Sequence, residues 1–286
     1  MNVNHKRKVS IYIPTSNRLK KLKRAIESVL SQDYKNIEIL ICDDASNDGT
    51  KEYVESLMAT DCRIRYFRSD ENRGACYVRN LGIYNATGYF ITGLDDDDEF
   101  KSNRLSYFID NWDDKFSFVC CNFYDCYVDG NTKSYYKHQD SILKYTDLLF
   151  SNKASNQVFT LTERMKVIGG FDVRVKRYQD WDTWLRLSFK FGDFLRLGEP
   201  TYVMHHDHVP NEKRVSKSYS SIDALSELRD RNDTIYVGEY LDFMNFLISQ
   251  MKGTCSFKDS LRWSLIQKKP RHLIRFFLRR YLKNND

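Results

Sequence analysis

Proline and glycine are scarce in this chain of 286 residues, at 4 and 12, so no long flexible linker is indicated. The seven cysteines are an odd number, scattered at Cys42, Cys62, Cys76, Cys120, Cys121, Cys126 and Cys255 with no CxxC pair. Such a set cannot close a complete disulfide framework, and runs such as FVCCNF use cysteine as a small apolar residue. No stretch approaches about 18 uninterrupted apolar residues, which argues against a transmembrane helix. The segment MNVNHKRKVSIYIP has no signal-peptide apolar region, and a reducing, cytoplasmic setting is the expectation. Internal repeats and low-complexity tracts are missing. So are GxxxxGK[ST] and a GxGxxG after the first strand, which removes Walker-type and Rossmann dinucleotide binding.

A basic body is lacking too. The net charge is +6, but Ser256–Asp286 holds nine Lys or Arg against two Asp, a local +7, so the rest is close to neutral. A nucleic-acid binder would carry its charge on the body, and none is expected as a partner.

The apolar pattern alternates between two periods. KVSIYIPT, IEILICDD, IRYFRS and YFITGL read as strands. Between them, RLKKLKRAIESVLSQ sets Leu19, Leu22, Ile26, Val29 and Leu30 on one helical face, and SNDGTKEYVESLMA and GACYVRNLGIYNA read as further helices. Strands alternating with helices predict an α/β protein with a mostly parallel sheet. Ligands of such sheets bind beyond the carboxyl ends of the strands. ICDD ends the second strand and GLDDDD the fourth, so both acidic groups are predicted on one edge. An acidic strand end also reads as a solvated turn or a helix cap. Two of them on one edge suit a divalent cation held against a diphosphate, with Mg²⁺ or Mn²⁺ as oxygen-loving ions.

The stretches VSIYIPTSNRLKKLKRAIESVLSQDYKNIEILICDDASNDGT, ENRGACYVRNLGIYNATGYFITGLDDDD, GGFD and YQDWDTWLRL, in that order, resemble glycosyltransferase family 2 over roughly residues 8 to 190. The resemblance implies the GT-A fold, a Rossmann-like, mostly parallel sheet flanked by helices, and inverting transfer from a nucleotide diphosphate sugar with Mn²⁺ or Mg²⁺. It implies that Pro14 and Thr15 close the first strand at the nucleotide, that Asp43 or Asp44 reads the base or ribose, and that Arg79 lies near the nucleotide. Asp44 also reads as a turn cap, and Arg79 as one half of an ion pair. Asp95 and Asp97 match the DxD aspartates, Asp97 for the metal and Asp95 for ribose and metal, with Asp96 between them. Asp180 matches the catalytic base, and Gln179 departs from the Glu often found before it. Trp181 and Asp172 are assigned to the acceptor side. His206 or His208 with Arg214 are assigned to the diphosphate or metal, an ordinary basic loop being the other reading.

The expected organisation is a GT-A domain over residues 1–215, with a nucleotide-binding half at about 8–100 and an acceptor half at about 101–215, then a helical region over 216–286. In its tail Leu273, Ile274, Phe277, Leu278 and Tyr281 follow helical spacing among Arg and Lys. That pattern suits either an anionic membrane surface or a helix packed on the protein. With the resemblance it implies a peripheral enzyme on the inner face of the cell membrane, using a UDP-sugar and a lipid-linked saccharide acceptor of O-antigen or capsule type. A transferase for lipooligosaccharide or protein acceptors, or a non-catalytic nucleotide-sugar-binding protein, are the alternatives. A homo-oligomer is compatible with the sequence.

Overall fold

β1 (Val9–Thr15) is buried along its whole length because it lies between two parallel neighbours, β2 (Ile37–Asp44) and β4 (Phe90–Gly93). Its Ser10, a polar residue within the run, is satisfied by donating to Glu38 Oε1 at 2.6 Å. β3 (Ile64–Ser69) adds beyond β2, and the two-residue β9 (Thr160–Leu161) adds antiparallel to β4, giving the order β3-β2-β1-β4-β9. The computed structural model describes residues 6–134, 138–154, 156–207 and 219–283. Its chain divides into two compact units, Met1–Glu212 and Lys213–Asp286.

Three helices alternate with the first strands: α1 (Leu19–Leu30), α2 (Thr50–Met58) and α3 (Ala75–Asn85). α1 buries Leu22, Ala25, Ile26 and Val29, at helical spacing, against the sheet. Full burial of such a Leu, Ile or Val contributes about 1.5–3 kcal/mol. Its N-terminus is capped from a distance. The Asp48 carboxylate accepts from the Leu19 N–H at 2.8 Å and from Thr50, so one aspartate ties the starts of α1 and α2 together.

The remainder of the first unit forms a second, mixed sheet that the sequence reading had not separated from the first. Its members are β5 (Glu99–Phe100), β6 (Val119–Tyr127), β7 (Thr132–Ser134), β8 (Ser141–Leu143) and β10 (Phe194–His206), in the order β5-β10-β6-β7 with β8 on β10. The helices here are α4 (Arg104–Asp110), α5 (Tyr145–Leu148), α6 (Thr162–Val167) and α7 (Gln179–Phe191). Arg104 is fully buried among the rings of Phe100, Phe108 and Tyr202 and donates to Thr201 Oγ1 at 3.1 Å.

The second unit is helical: α8 (Ser221–Arg231), α9 (Gly238–Lys252), α10 (Phe257–Ile266) and α11 (Arg271–Lys283). Ser220 and Ser256 cap α8 and α10. Phe243, Phe246, Trp263 and His272 make its aromatic core, and burial with neighbouring cationic residues lowers the His272 pKa to about 4.

The start of α7 is positioned by the turn before it. Gly169 and Gly170 take φ of 76° and 63°, the left-handed region that glycine tolerates. Phe171 then exchanges two 2.8 Å hydrogen bonds with the Asn80 side chain on α3. A Cβ on Gly170 would stand 2.3 Å from Asn80 Oδ1, whereas one on Gly169 meets nothing within 4 Å. Gly170→Ala is therefore expected to destabilise by about 1–3 kcal/mol in urea unfolding, and by more than Gly169→Ala. Equal effects at the two positions would refute the role of the Asn80 clasp.

Candidate active site

Parallel pairing on both sides of β1 brings the acidic ends of β2 and β4 to one edge. Thr15 pairs with Asp43, and Leu94 N–H donates to Tyr12 O just before Asp95–Asp98. Coulomb repulsion between unit charges about 4 Å apart is about 4 kcal/mol near a protein surface, so each carboxylate needs an answer.

Each has one. Asp43 accepts from the Tyr66 hydroxyl at 2.5 Å and pairs with Arg68 at 2.9 Å. Asp44 accepts from the backbone N–H groups of Arg73 and Gly74 at 2.7 and 2.8 Å. That is the capping role the sequence also allowed, and it shapes the approach to α3. Asp96 is buried, with Thr15 Oγ1 on one oxygen at 2.8 Å and Arg18 on the other at 3.1 Å. Burial dominates there and raises its pKa to about 7, against the pull of Arg18. Asp97 shares the Arg18 guanidinium at 3.2 Å. Its pKa is raised by burial and then by the charge of Asp95, with Arg18 and Lys21 opposing. Asp98 accepts from the Tyr202 hydroxyl at 2.7 Å and the His205 N–H at 2.9 Å, and burial pushes it well above the usual carboxylate range.

Asp95 is where the edge meets the second half of the unit. Arg79 on α3, itself buried, pairs with Asp95 Oδ1 at 3.0 Å and donates to Gln179 Oε1 at 2.7 Å. One guanidinium thus links the DxD segment to the first residue of α7. Asp180 follows directly. It is not the cap of that helix, since Tyr178 occupies the N-cap position with φ 66°. Its Oδ1 is buried without a hydrogen-bond partner. Burial raises its pKa to about 7, the Arg79 charge lowers it and that of Asp95 raises it, so desolvation outweighs the neighbouring cation. A neutral Gln179 takes the Arg79 hydrogen bond without adding a charge.

Other expected positions lie elsewhere. Trp181, assigned to the acceptor, is instead packed: its indole donates to Leu148 O and its ring meets Tyr178 edge-on. Phe171 of GGFD is buried under Arg79, between Tyr12 and Trp184, and Asp172 pairs with the exposed Arg174 at 2.6 Å. His206 turns to Asp125 at 2.6 Å and stacks on Tyr127. Its neighbour His205 contacts Glu99 at 2.5 Å and, through its backbone, Asp98. His208 and Arg214 lie outside the described residues. The sequence reading missed Arg18, Arg24, Tyr202, Asn156 and Gln157. Arg24 donates to Asp97 O at 2.5 Å and pairs with Asp207. Arg18 precedes α1 and Arg24 lies on it, at positions where a basic surface residue is ordinary, so no pattern marked them.

The donor set at the edge fits a hard divalent cation. Asp95 Oδ2 receives no hydrogen bond from the described residues, and of the two causes that raise Asp97, burial and then the charge of Asp95, a cation would relieve the second. Among the described residues no three His, Cys, Asp or Glu converge as a closed metal cage. One or two carboxylates, completed by phosphate and water, is the usual Mg²⁺ arrangement.

The glycosyl transferase family 2 model matches residues 10–171. WcaA of Escherichia coli (strain K12), named for colanic acid biosynthesis as a glycosyl transferase, is 39% identical over 211 residues, 70% of this chain and 73% of that one. A Campylobacter jejuni protein named GalNAc(5)-diNAcBac-PP-undecaprenol beta-1,3-glucosyltransferase is 34% identical over 164 residues, 55% of this chain and 52% of its own length. The chain thus spans about three quarters of the first and about half of the second. Among solved structures, S. aureus TarS 1–349 in complex with UDP-GlcNAc superposes with a TM-score of 0.68 at 18% identity, over 93% of this chain and 78% of that one. The mannosyltransferase PcManGT from Pyrobaculum calidifontis, in complex with GDP-Man and Mn²⁺, reaches 0.58 at 15% identity, over 95% and 86%. The parallel sheet with its flanking helices is the GT-A fold of these neighbours, and the chain belongs to glycosyl transferase family 2.

Proposed function

We propose that the protein is an inverting, metal-dependent glycosyltransferase that moves a hexose or N-acetylhexosamine from a UDP-sugar to a saccharide carried on polyprenyl diphosphate. The observation that carries this is the Arg79 bridge between Asp95 and the start of α7, where the buried Asp180 Oδ1 has no hydrogen-bond partner. In this reading the β1 and β2 ends with Asp43 and Asp44 receive the nucleoside, and Thr15 and Asp96 hold the floor under it. Asp95 and Asp97 would hold Mg²⁺ or Mn²⁺, which when bound neutralises the diphosphate of the leaving nucleotide. Asp180 takes the proton of the acceptor hydroxyl as that oxygen bonds to the anomeric carbon, and the bond from that carbon to the diphosphate oxygen breaks on the opposite face. A raised pKa suits this task, because a base near 7 is ionised at neutral pH yet basic enough to accept the proton.

The UDP donor is supported by the TarS complex, and the lipid-linked acceptor by the name of the Campylobacter relative. First-unit residues carry the chemistry in this reading, as a catalytic domain followed by a helical region.

Asp180→Asn is expected to lower sugar transfer by about 10²–10⁴-fold while leaving Mn²⁺-dependent UDP binding intact. Since only the ionised carboxylate accepts a proton, kcat/KM should rise with pH through about 7 and be lost below it. UDP binding without transfer to any lipid-diphosphate acceptor in the wild type would favour the non-catalytic binding protein.

The second unit supports a peripheral site on an anionic membrane. α11 buries His272 and Phe276, and its opposite face exposes Ile274, Phe277 and Leu278, each more than half accessible, flanked by Arg271 and Arg275. Leu273 is only partly accessible, and the Tyr281 side chain lies outside the described ones. Phe257 of α10 meets Phe277 at 6.0 Å and joins the exposed Leu261 and Leu265 to the same face. No helix among the described residues is long and apolar enough to cross a membrane, whereas an apolar stripe between cationic flanks suits the interface. Replacing Phe277 and Leu278 by Asp is expected to weaken sedimentation with phosphatidylglycerol vesicles by tenfold or more, on the order of the 1.5–3 kcal/mol for burying each side chain. Unchanged binding would refute the surface.

A further inference from the structure

Gln157 is fully buried in the loop before β9, distant in sequence from every motif of the site. Its Nε2 donates to Asp95 Oδ1 at 3.1 Å, and its Oε1 accepts from the Tyr12 hydroxyl at 3.0 Å. These partners settle which way the amide faces: a carboxylate only accepts, and the Tyr12 phenol keeps its proton because burial pushes its pKa far up. Arg79 donates to the same Oδ1. Both protein donors therefore converge on one oxygen of Asp95, and Oδ2 takes neither. The packing leaves no slack. Gly93 pairs with Tyr12 across the sheet, and a Cβ there would lie 2.1 Å from Gln157 Oε1 and 2.5 Å from the Tyr12 ring. A glycine whose φ is not in the left-handed region is thus required by close approach alone. The adjacent Asn156 reaches Asp98 at 3.5 Å, so one loop delivers two amides to the acidic edge.

We propose that Gln157, held by Tyr12 and seated against Gly93, is a positioning residue that together with Arg79 clamps Asp95 Oδ1 and so presents Oδ2 to the cation and nucleotide. The proposal rests on the donor-site reading above. It has a different content, since it assigns the coupling between metal and nucleotide to a residue that touches neither.

The test measures UDP affinity by calorimetry with and without MnCl₂ for the full-length wild type, Gln157→Met and Tyr12→Phe, with thermal melts of each. Gln157→Met keeps the length of the side chain but has no N–H to face Asp95 and adds no charge. Losing a hydrogen bond to a charged group is worth about 1.5–3 kcal/mol, so the gain in UDP affinity on adding Mn²⁺ should fall about tenfold or more. Metal-free UDP affinity should change much less. Tyr12→Phe, which leaves the amide but frees its far end, should show a smaller loss of the same kind. It serves as the readout if Gln157→Met does not fold. A merely structural role predicts equal losses with and without Mn²⁺, and that result, or wild-type coupling in both variants, would overturn the proposal. A wild type that binds UDP with no effect of Mn²⁺ would overturn the donor-site reading and this one with it. Wild-type coupling that only the variants lose would support both.

Discussion

Six carboxylates, Asp43, Asp44 and Asp95 to Asp98, stand at one edge of one sheet, and the rest of the first unit is arranged around answering them. The answers come from different elements: Tyr66 and Arg68 from β3, Arg18 from the start of α1, Arg79 from α3, Tyr202 and His205 from β10, Gln157 from a loop. Parallel pairing of β1 to β4 produces this concentration, since those four strands end on the same side and two of them end in aspartates. The residual strain appears as raised pKa values at Asp96, Asp97 and Asp98, with burial as the first cause in each. A site with charge left to satisfy is one that gains from a cation and a diphosphate, and this connects the packing to the proposed chemistry.

Arg79 is the hinge of that connection. It is surrounded by Asp95, Asp180, Gln179 and the Phe171 ring, and its charge is held by its two acidic neighbours against the cost of burial. The same cation pairs with Asp95 and lowers Asp180 only in part. A glutamate in place of Gln179 would add a third anion to one guanidinium and change that division. The neutral amide leaves the balance at Asp180 to burial, the charge of Asp95 and that of Arg79.

The second unit distributes polarity differently. Its core is aromatic and closes on a buried, neutral-leaning His272, while basic residues flank an exposed apolar stripe. In a helix the 3.6-residue period lets one face serve the core and the opposite face a different medium.

Much was legible in advance. Apolar periodicity settled the four parallel strands and their helices, because strand and helix periods differ and turns here are marked by Asp, Asn and Gly. It also located both acidic groups on one edge, since parallel pairing follows from strand–helix alternation, and the resemblance pointed to Asp180 as the candidate base. What remained hidden depends on contacts between residues far apart in sequence. Gln157 meets Asp95 across 62 positions and Tyr12 across 145, Arg79 meets Gln179 across 100, and Trp181 spends its indole on Leu148. Local pattern carries no information about such pairings. The direction of the Asp180 shift was likewise beyond sequence, because burial and the Arg79 charge pull oppositely and only the packed structure sets their relative size. Sequence by itself determined the parallel strands and which aspartates reach their edge; the tertiary structure alone decided which side chains answer them and which oxygens are left open to a ligand, because hydrogen bonds and desolvation are set by the positions of atoms in space and not by their order in the chain.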